Sequence, residues 1–333
     1  MGRSFAMRES GGLSRDGGGT RAGSKLCYSL PVHGSPGIYV EIKIDANLEQ
    51  VWRLTQDPAL HQRWDLRFSA IEYLPRPIPT EPQRFNYETR IGFGLNIRGT
   101  GESVGERALE RGDTTSALKF ASADPKSLIR DGSGYWRYIP TSDGLRFLTW
   151  YDYSVRFGVA GRLMDRMVFR PLMGWATAWS FDRMRLWVEK GQTPEASLSL
   201  WLVHATARLS IAAIWIWHGL VPKLIYRNAD EQTMLAQAGV PDKLLPWIGG
   251  VEILMGLFVL LAWRWKPVLA VNIALMAAAF VGVAINSPQY LQAAFNPVTL
   301  NLALIALSII GWIAARSLPS ARMCLRKAPK EKA

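Results

Sequence analysis

Four apolar stretches, at about 200–221, 246–263, 267–285 and 297–315, set the tightest limit on what this chain can become. Each is close to the ~20 residues a helix needs to cross about 30 Å of hydrocarbon. They carry hardly any polar face, so the buried helices of a water-soluble core do not explain them. The chain is expected to cross a membrane four times. Before about residue 196 the text is charged, alternating and broken by Gly, Pro, Asp and Asn. A soluble half followed by a membrane half suits a chain of 333 residues.

The net charge is +12, and its excess gathers in residues 1–26, 161–190 and 316–333. Two of these segments flank the apolar half, a placement that anionic lipid and topology explain. No zinc-finger spacing, basic zipper or RNA-binding signature points to nucleic acid. Arg264 and Lys266 sit between the second and third spans, whereas 286–296 holds no Lys or Arg. Both termini are therefore expected on the cytoplasmic side of a plasma or inner membrane. Residues 1–35 are Gly/Ser/Arg-rich without a signal-peptide core and are expected to be a disordered leader. Residues 317–333 form a basic tail. Cys27 and Cys324 are the two cysteines, so neither a disulfide framework nor a thiolate metal set is expected, and no metal site is assigned.

In the soluble half, IYVEIKI alternates as a strand, and Asn47 is placed as a helix N-cap with Pro58 as a break. Strand-like segments follow at 67–74, 83–93, 96–110, 113–121, 128–140 and 144–157. In RFNYETRIGF the apolar face is Phe85, Tyr87, Ile91 and Phe93, while in RFLTWYDYSVRF it is Phe147, Tyr151, Tyr153 and Phe157. Glu88 and Asp152 fall on the wet faces. Alternation of this kind needs a cover. Met164, Val168, Pro171, Trp175, Ala178 and Trp179, at three- and four-residue intervals, place that cover on a helix over 160–190, kinked at Pro171. An aromatic cavity between helix and sheet, lined by these faces and Trp175, is the expected ligand site.

The first span carries His204, Arg208, Trp215, His218 and Pro222 within about 40° of the His204 direction. Ionisable groups are costly in lipid, so this stripe faces the bundle. Depth estimates give an inner layer of Arg208 and Asn272. An outer layer holds His218, Glu252 and Asn301, with Lys223 and Asn296 at the rim; Arg208 and Glu252 are also within possible reach of each other. The outer layer either binds a polar head group or proton, or only fixes helix register. His204 and His218 have no second pair of span histidines, which excludes bis-histidine haem.

The stretch VEIKIDANLEQVWRLTQDPALHQRWD, the strands after it and the helix 160–190 resemble the SRPBCC superfamily of START and polyketide-cyclase-like domains, over 36–192. The resemblance implies an α+β helix-grip fold and a pocket for lipids, quinones or polyketide-like molecules. WHGLVPKLI, EQTMLAQAG, WIGGVEILMG and FNPVTLNLAL resemble the DoxX-like family of four-helix membrane proteins, over 197–316. That likeness implies a loose tie to quinone-linked redox chemistry, although this bundle holds no cysteine for thiol steps. The expected function is a multi-pass membrane protein whose cytoplasmic helix-grip domain binds a hydrophobic small molecule or membrane lipid. The alternatives are a quinone-dependent oxidoreductase subunit with redox partner proteins, and a membrane scaffold.

Overall fold

The computed structural model describes residues 37–329 apart from 79, 109–111 and 295. The leader expected at 1–35 and the last residues of the basic tail lie outside the described residues.

Strand β1 (Ile38–Ile44) leads into helices α1 (Leu48–Gln56) and α2 (Pro58–Trp64). Asn47 Oδ1 accepts from the Gln50 amide at 2.9 Å, and Gln50 Oε1 accepts from the Asn47 amide at 3.1 Å, closing a capping box. Pro58 ends α1 by opening α2, and Asp57 caps that second helix. The meander comprises β2 (Ala70–Tyr73), β3 (Arg84–Gly92), β4 (Leu95–Ala108), β5 (Thr114–Ala121), β6 (Ile129–Thr141) and β7 (Gly144–Val155). The order β1-β7-β6-β5-β4-β3-β2 is antiparallel throughout.

One rung of the inner face reads Phe85, Gly101, Phe120, Gly132, Tyr153 across five strands. Rings alternate with glycines because a ring leans over its neighbour. A Cβ on Gly132 would stand 2.5 Å from the Phe120 ring and 2.7 Å from the Asp152 carbonyl. The small residues let the sheet bend around its cover.

The cover is α3 (Gly158–Met164), a π-helical turn Asp165–Phe169 and α4 (Arg170–Lys190). Its buried side differs from the expected one. Ala178 and Trp179 are buried, but Met164, Val168, Pro171 and Trp175 are exposed. Gly174, Thr177, Ala178, Phe181 and Met184 face the sheet instead. The segment has apolar residues on two sides, so periodicity alone selects the wrong one. The irregularity also precedes Pro171: the π-helical turn absorbs it, and Pro171 lies in the first turn of α4, where a missing N–H costs little. Phe147 and Phe181 meet at 4.6 Å between ring centroids, within a core that includes Trp64, Trp136 and Tyr138. This is a helix-grip architecture.

Gly191, at φ 65°, ends α4 and turns the chain into the bundle. The bundle holds α5 (Pro194–His218), a π-helical segment Gly219–Ile225, α6 (Ala229–Gln237), α7 (Leu245–Leu261), α8 (Pro267–Asn286) and α9 (Pro297–Ala314). Among the described residues, four helical stretches are long and apolar enough to span a bilayer, Pro194–Ile225, Asp242–Leu261, Pro267–Asn286 and Pro297–Met323. The first starts earlier than its apolar text, because Thr193 caps it and Pro194 opens it.

After α9 the chain returns to the sheet. The Ser320 amide donates to Asp182 Oδ2 at 2.7 Å, and Cys324 Sγ donates to the Ala178 carbonyl at 3.2 Å. Leu325 and Glu41 then exchange two backbone hydrogen bonds of 2.9 Å each, covering part of the free edge of β1.

Substituting Gly132→Ala should lower stability by about 1–3 kcal/mol through overpacking. Thermal unfolding in detergent measures it, and an unchanged midpoint would show that Phe120 and the β7 backbone yield freely.

Candidate functional site

The inner face of the sheet is covered unevenly. Toward β1 and β7 it is buried under α4, whereas Phe85, Tyr87, Leu118 and Phe120 on β3 and β5 remain half-buried. Of the expected lining, Phe147, Tyr151 and Tyr153 are buried on β7, and Phe85 and Tyr87 share their face. The other four lie elsewhere. A bulge between Arg90 and Gly92 breaks the alternation at Ile91, leaving it exposed. Phe93 sits in the turn between two positive-φ glycines, with φ 49° itself, and is fully exposed. Phe157 follows β7 at φ 67° and points outward, and Trp175 is on the far side of α4.

A buried ionic group, absent from the expected lining, closes one end of this face. Asp65 follows α2 and is 1% exposed. It accepts from Arg67 at both oxygens, Nε to Oδ1 at 2.9 Å and Nη2 to Oδ2 at 2.6 Å. His61 Nε2 stands 3.1 Å from Oδ2. Burial would raise the Asp65 carboxyl, but Arg67 and His61 outweigh it and hold it well below the usual range. Burial pushes His61 down against the pull of Asp65, so a neutral ring donates its Nε2 proton. The Arg67 guanidinium lies 5.3 Å from the Tyr151 ring and 5.6 Å from the Phe68 ring, a cation held on aromatic faces. The signal available was the run WDLRF, with a carboxylate two residues before an arginine.

A second network fixes the cover. The Tyr153 hydroxyl donates to Asp165 Oδ1 at 2.8 Å, and Arg170 bonds Asp165 at 2.9 Å and Asp152 at 3.0 Å. Asp152, expected on the wet face, is buried, because Arg170 reaches around the stretch of β7 that β1 leaves unpaired. Two open grooves of about 650 and 710 Å³ run across the opposite, polar face of the sheet, past Arg84, Lys119 and Trp150 and past Glu72 and Arg98. Among the described residues no three His, Cys, Asp or Glu side chains gather as a metal ion would require.

In the bundle the polar residues gather in three places. Arg208 is wholly buried. Its Nη1 donates to the Val259 and Ala262 carbonyls at 2.8 and 2.9 Å, and its Nη2 to the Trp265 carbonyl at 3.1 Å. Val259 lies in the last turn of α7 and Trp265 in the loop after it, while the Ala262 carbonyl also accepts from the Trp265 amide at 2.9 Å, so the guanidinium acts as a cap from a neighbouring helix. Arg208 Nε donates to His204 Nε2 at 3.1 Å, which makes that nitrogen an acceptor and leaves Nδ1–H to donate to the Gly311 carbonyl at 2.9 Å. In this tautomer the Trp263 carbonyl, 3.0 Å from Nε2, receives no proton from His204.

Asn272 does not join Arg208 as expected. It accepts from Trp215 Nε1 at 2.6 Å and donates to Ser308 Oγ at 2.7 Å, tying α5, α8 and α9 together. At the opposite end, Lys223 Nζ lies 3.1 Å from Glu252 and 3.0 Å from Glu231. The backbones of α5 and α7 meet there: a Cβ on Gly249 would stand 2.6 Å from the Gly219 carbonyl. That approach brings Lys223 to Glu252, so Glu252 pairs with Lys223 and not with Arg208. His218 is half-buried one turn before Lys223, and Asn301 is buried on α9. Glu231 was missed as a site residue because α6 lies outside the apolar stretches. Asn296 caps α9 through the Thr299 amide at 2.8 Å.

Comparisons with known proteins match part of the bundle to a family. Residues 212–309, from α5 into α9, match the model of the DoxX-like family. The uncharacterized membrane protein YndG of Bacillus subtilis (strain 168) is 48% identical over 183 residues, which are 55% of this chain and 68% of YndG. Among solved structures, TTHA0849 from Thermus thermophilus is 18% identical, covering 46% of this chain and 100% of its own, with a TM-score of 0.36. A STAR-related lipid transfer protein from Xanthomonas axonopodis is 18% identical over 46% of this chain and 87% of its own, TM-score 0.36. The Zhui aromatase/cyclase from Streptomyces sp. R1128 is 14% identical over 46% and 96%, TM-score 0.35.

Arg208→Leu should unfold the bundle at lower temperature, since each buried carbonyl left unpaired costs about 1–3 kcal/mol. The midpoint in detergent measures this, and wild-type stability would show that water or another donor replaces the cap.

Proposed function

We propose that this chain, which belongs to the family of the Bacillus membrane protein YndG, takes up a hydrophobic ligand on the inner face of its sheet. The chain is a membrane protein, with a helix-grip half and a DoxX-like bundle. One observation carries the reading: the rings Phe85, Tyr87 and Phe120, with Leu118, stay half-buried beside a buried Asp65–Arg67 pair. An apolar body on those rings gains about 25 cal/mol per Å² removed from water. Arg67 offers donors for a polar head at the end of the same surface. Lipids, quinones and polyketide-like molecules share this chemistry.

The membrane half keeps the site where such molecules partition. The described tail bonds to Glu41 and Asp182, so the sheet lies on the side of the membrane to which α9 delivers the chain. Arg264 and Lys266 on that side, against a loop 286–296 without basic residues, support a cytoplasmic placement at a plasma or inner membrane. Quinone-linked electron transfer is the rival reading, and the buried Lys223–Glu252 pair is what favours it.

Native mass spectrometry of the full chain extracted from membranes tests the proposal. The expected result is a co-purifying lipid-soluble molecule that is lost in a Tyr87→Lys variant of unchanged melting temperature. Ligand-free protein would contradict it. A quinone retained by Tyr87→Lys and lost in Glu252→Gln would transfer the site to the bundle.

A further inference from the structure

The cover of the sheet turns a second apolar side to the outside. Val159 is 73% and Met167 68% exposed, and Leu163, Met164, Val168 and Leu172 are each about half exposed. The one acid between Phe157 and Trp175, Asp165, is turned inward onto Tyr153 and Arg170. What remains outside is apolar and cationic, with Arg162 and Arg166 both exposed. The β3–β4 turn adds Phe93 and Leu95 at the same end of the sheet. Val155 pairs with Ile129, Asp131 with Ala121 and Ala121 with Thr100, and the turn lies beyond Thr100.

We propose that the segment Phe157–Trp175 rests on the bilayer in which the chain is anchored, with its apolar side chains at the boundary between head groups and acyl chains. Two features select a lipid surface as the occupant. The bundle keeps a bilayer within reach, because the 21 residues of α4 span about 31 Å from Arg170, inside this patch, to the joint with α5. The exposed charge is also of one sign, with arginines set among apolar side chains, the pattern that anionic head groups and acyl chains satisfy together. Asp165 supports this by satisfying the Tyr153 hydroxyl and Arg170 internally, which keeps a carboxylate off the surface. The patch stands on exposure and charge and does not require a ligand on the inner face. If both hold, the docked segment places the sheet against the source of its ligand.

The test uses the full chain with Cys27→Ser and Cys324→Ser, spin-labelled at Met167→Cys, in nanodiscs of phosphatidylcholine with or without phosphatidylglycerol. Lys119→Cys, on the exposed outer face of the sheet, is the reference, and Val159→Cys is a second reporter should the first fail to fold. The label should be shielded from a water-soluble nickel chelate and open to oxygen, at a depth of about 5–10 Å. That shielding should weaken without phosphatidylglycerol and in Arg162→Gln/Arg166→Gln. Nickel access equal to that at residue 119 in both lipids would overturn the proposal. So would dipolar coupling between labels, which would assign the patch to a second copy, or shielding only after bare vesicles are added, which would assign it to another membrane.

Discussion

A guanidinium buried inside a membrane bundle is the constraint on which the second half of this structure depends. A helix that ends in a dry environment leaves its last carbonyls without partners. In α7 the donor missing at the Val259 carbonyl comes from Arg208 on the neighbouring helix. The cation is balanced by carbonyls and helix-end dipole, with His204 holding the Nε side. One residue therefore fixes how far α5 and α7 slide past each other, and the close backbone crossing at Gly219 and Gly249 fixes how near they come. With both set, Lys223 reaches Glu252 at the other end.

The same chemistry recurs outside the bundle. Arg156 Nη1 donates to the carbonyls of Asp124 and Ser127 at 2.7 and 3.1 Å, holding the β5–β6 connection. Arg264 reaches the Pro319 carbonyl at 3.3 Å, where the chain leaves α9 for the sheet. Arg183 donates to the Pro194 carbonyl at 2.9 Å, and Arg63 grips Glu195 with two bonds of 2.9 and 3.0 Å. Arginines thus close the joint between the halves, where α2, α4, α5 and the returning tail converge. The joint gives the sheet a fixed place beside the bundle. Leu325 on β1 and Ser320 on Asp182 make the C-terminal segment part of that place.

Much of this was legible in the residues. Asn47 and Pro58 mark helix ends by chemistry that acts within a few residues, and the strands declare themselves by alternation. The four spans follow from length and apolarity alone. What failed was any inference needing to know which of two similar faces is used. The segment 158–179 is apolar on both sides, and the side that meets the sheet is the one whose Asp165 and Thr177 bond Tyr153 and Tyr151. Ile91 and Phe93 continue an apolar pattern on paper, but a bulge and a Gly-Phe-Gly turn take them out of it. Depth along the spans put Arg208 and Glu252 in different layers but still left them within reach of each other, which they are not, and partners at equal depth depend on rotation. Asn272 consequently pairs with Trp215 and Ser308. Glu231 sits in the short helix α6, outside the apolar stretches, and Arg67 in the turn after α2, outside the strand that follows.

The functional account joins an observation, half-buried rings on the inner face of a sheet, to the proposal that the bundle keeps this sheet at a lipid surface. The most direct measurement replaces Tyr87 with a benzophenone amino acid and irradiates intact membranes. The account predicts that the tryptic peptide ending at Arg90 gains the mass of a lipid-soluble molecule, while the same reporter at Lys119 gives none. Crosslinks confined to the protein itself, or equal labelling at both positions, would contradict it.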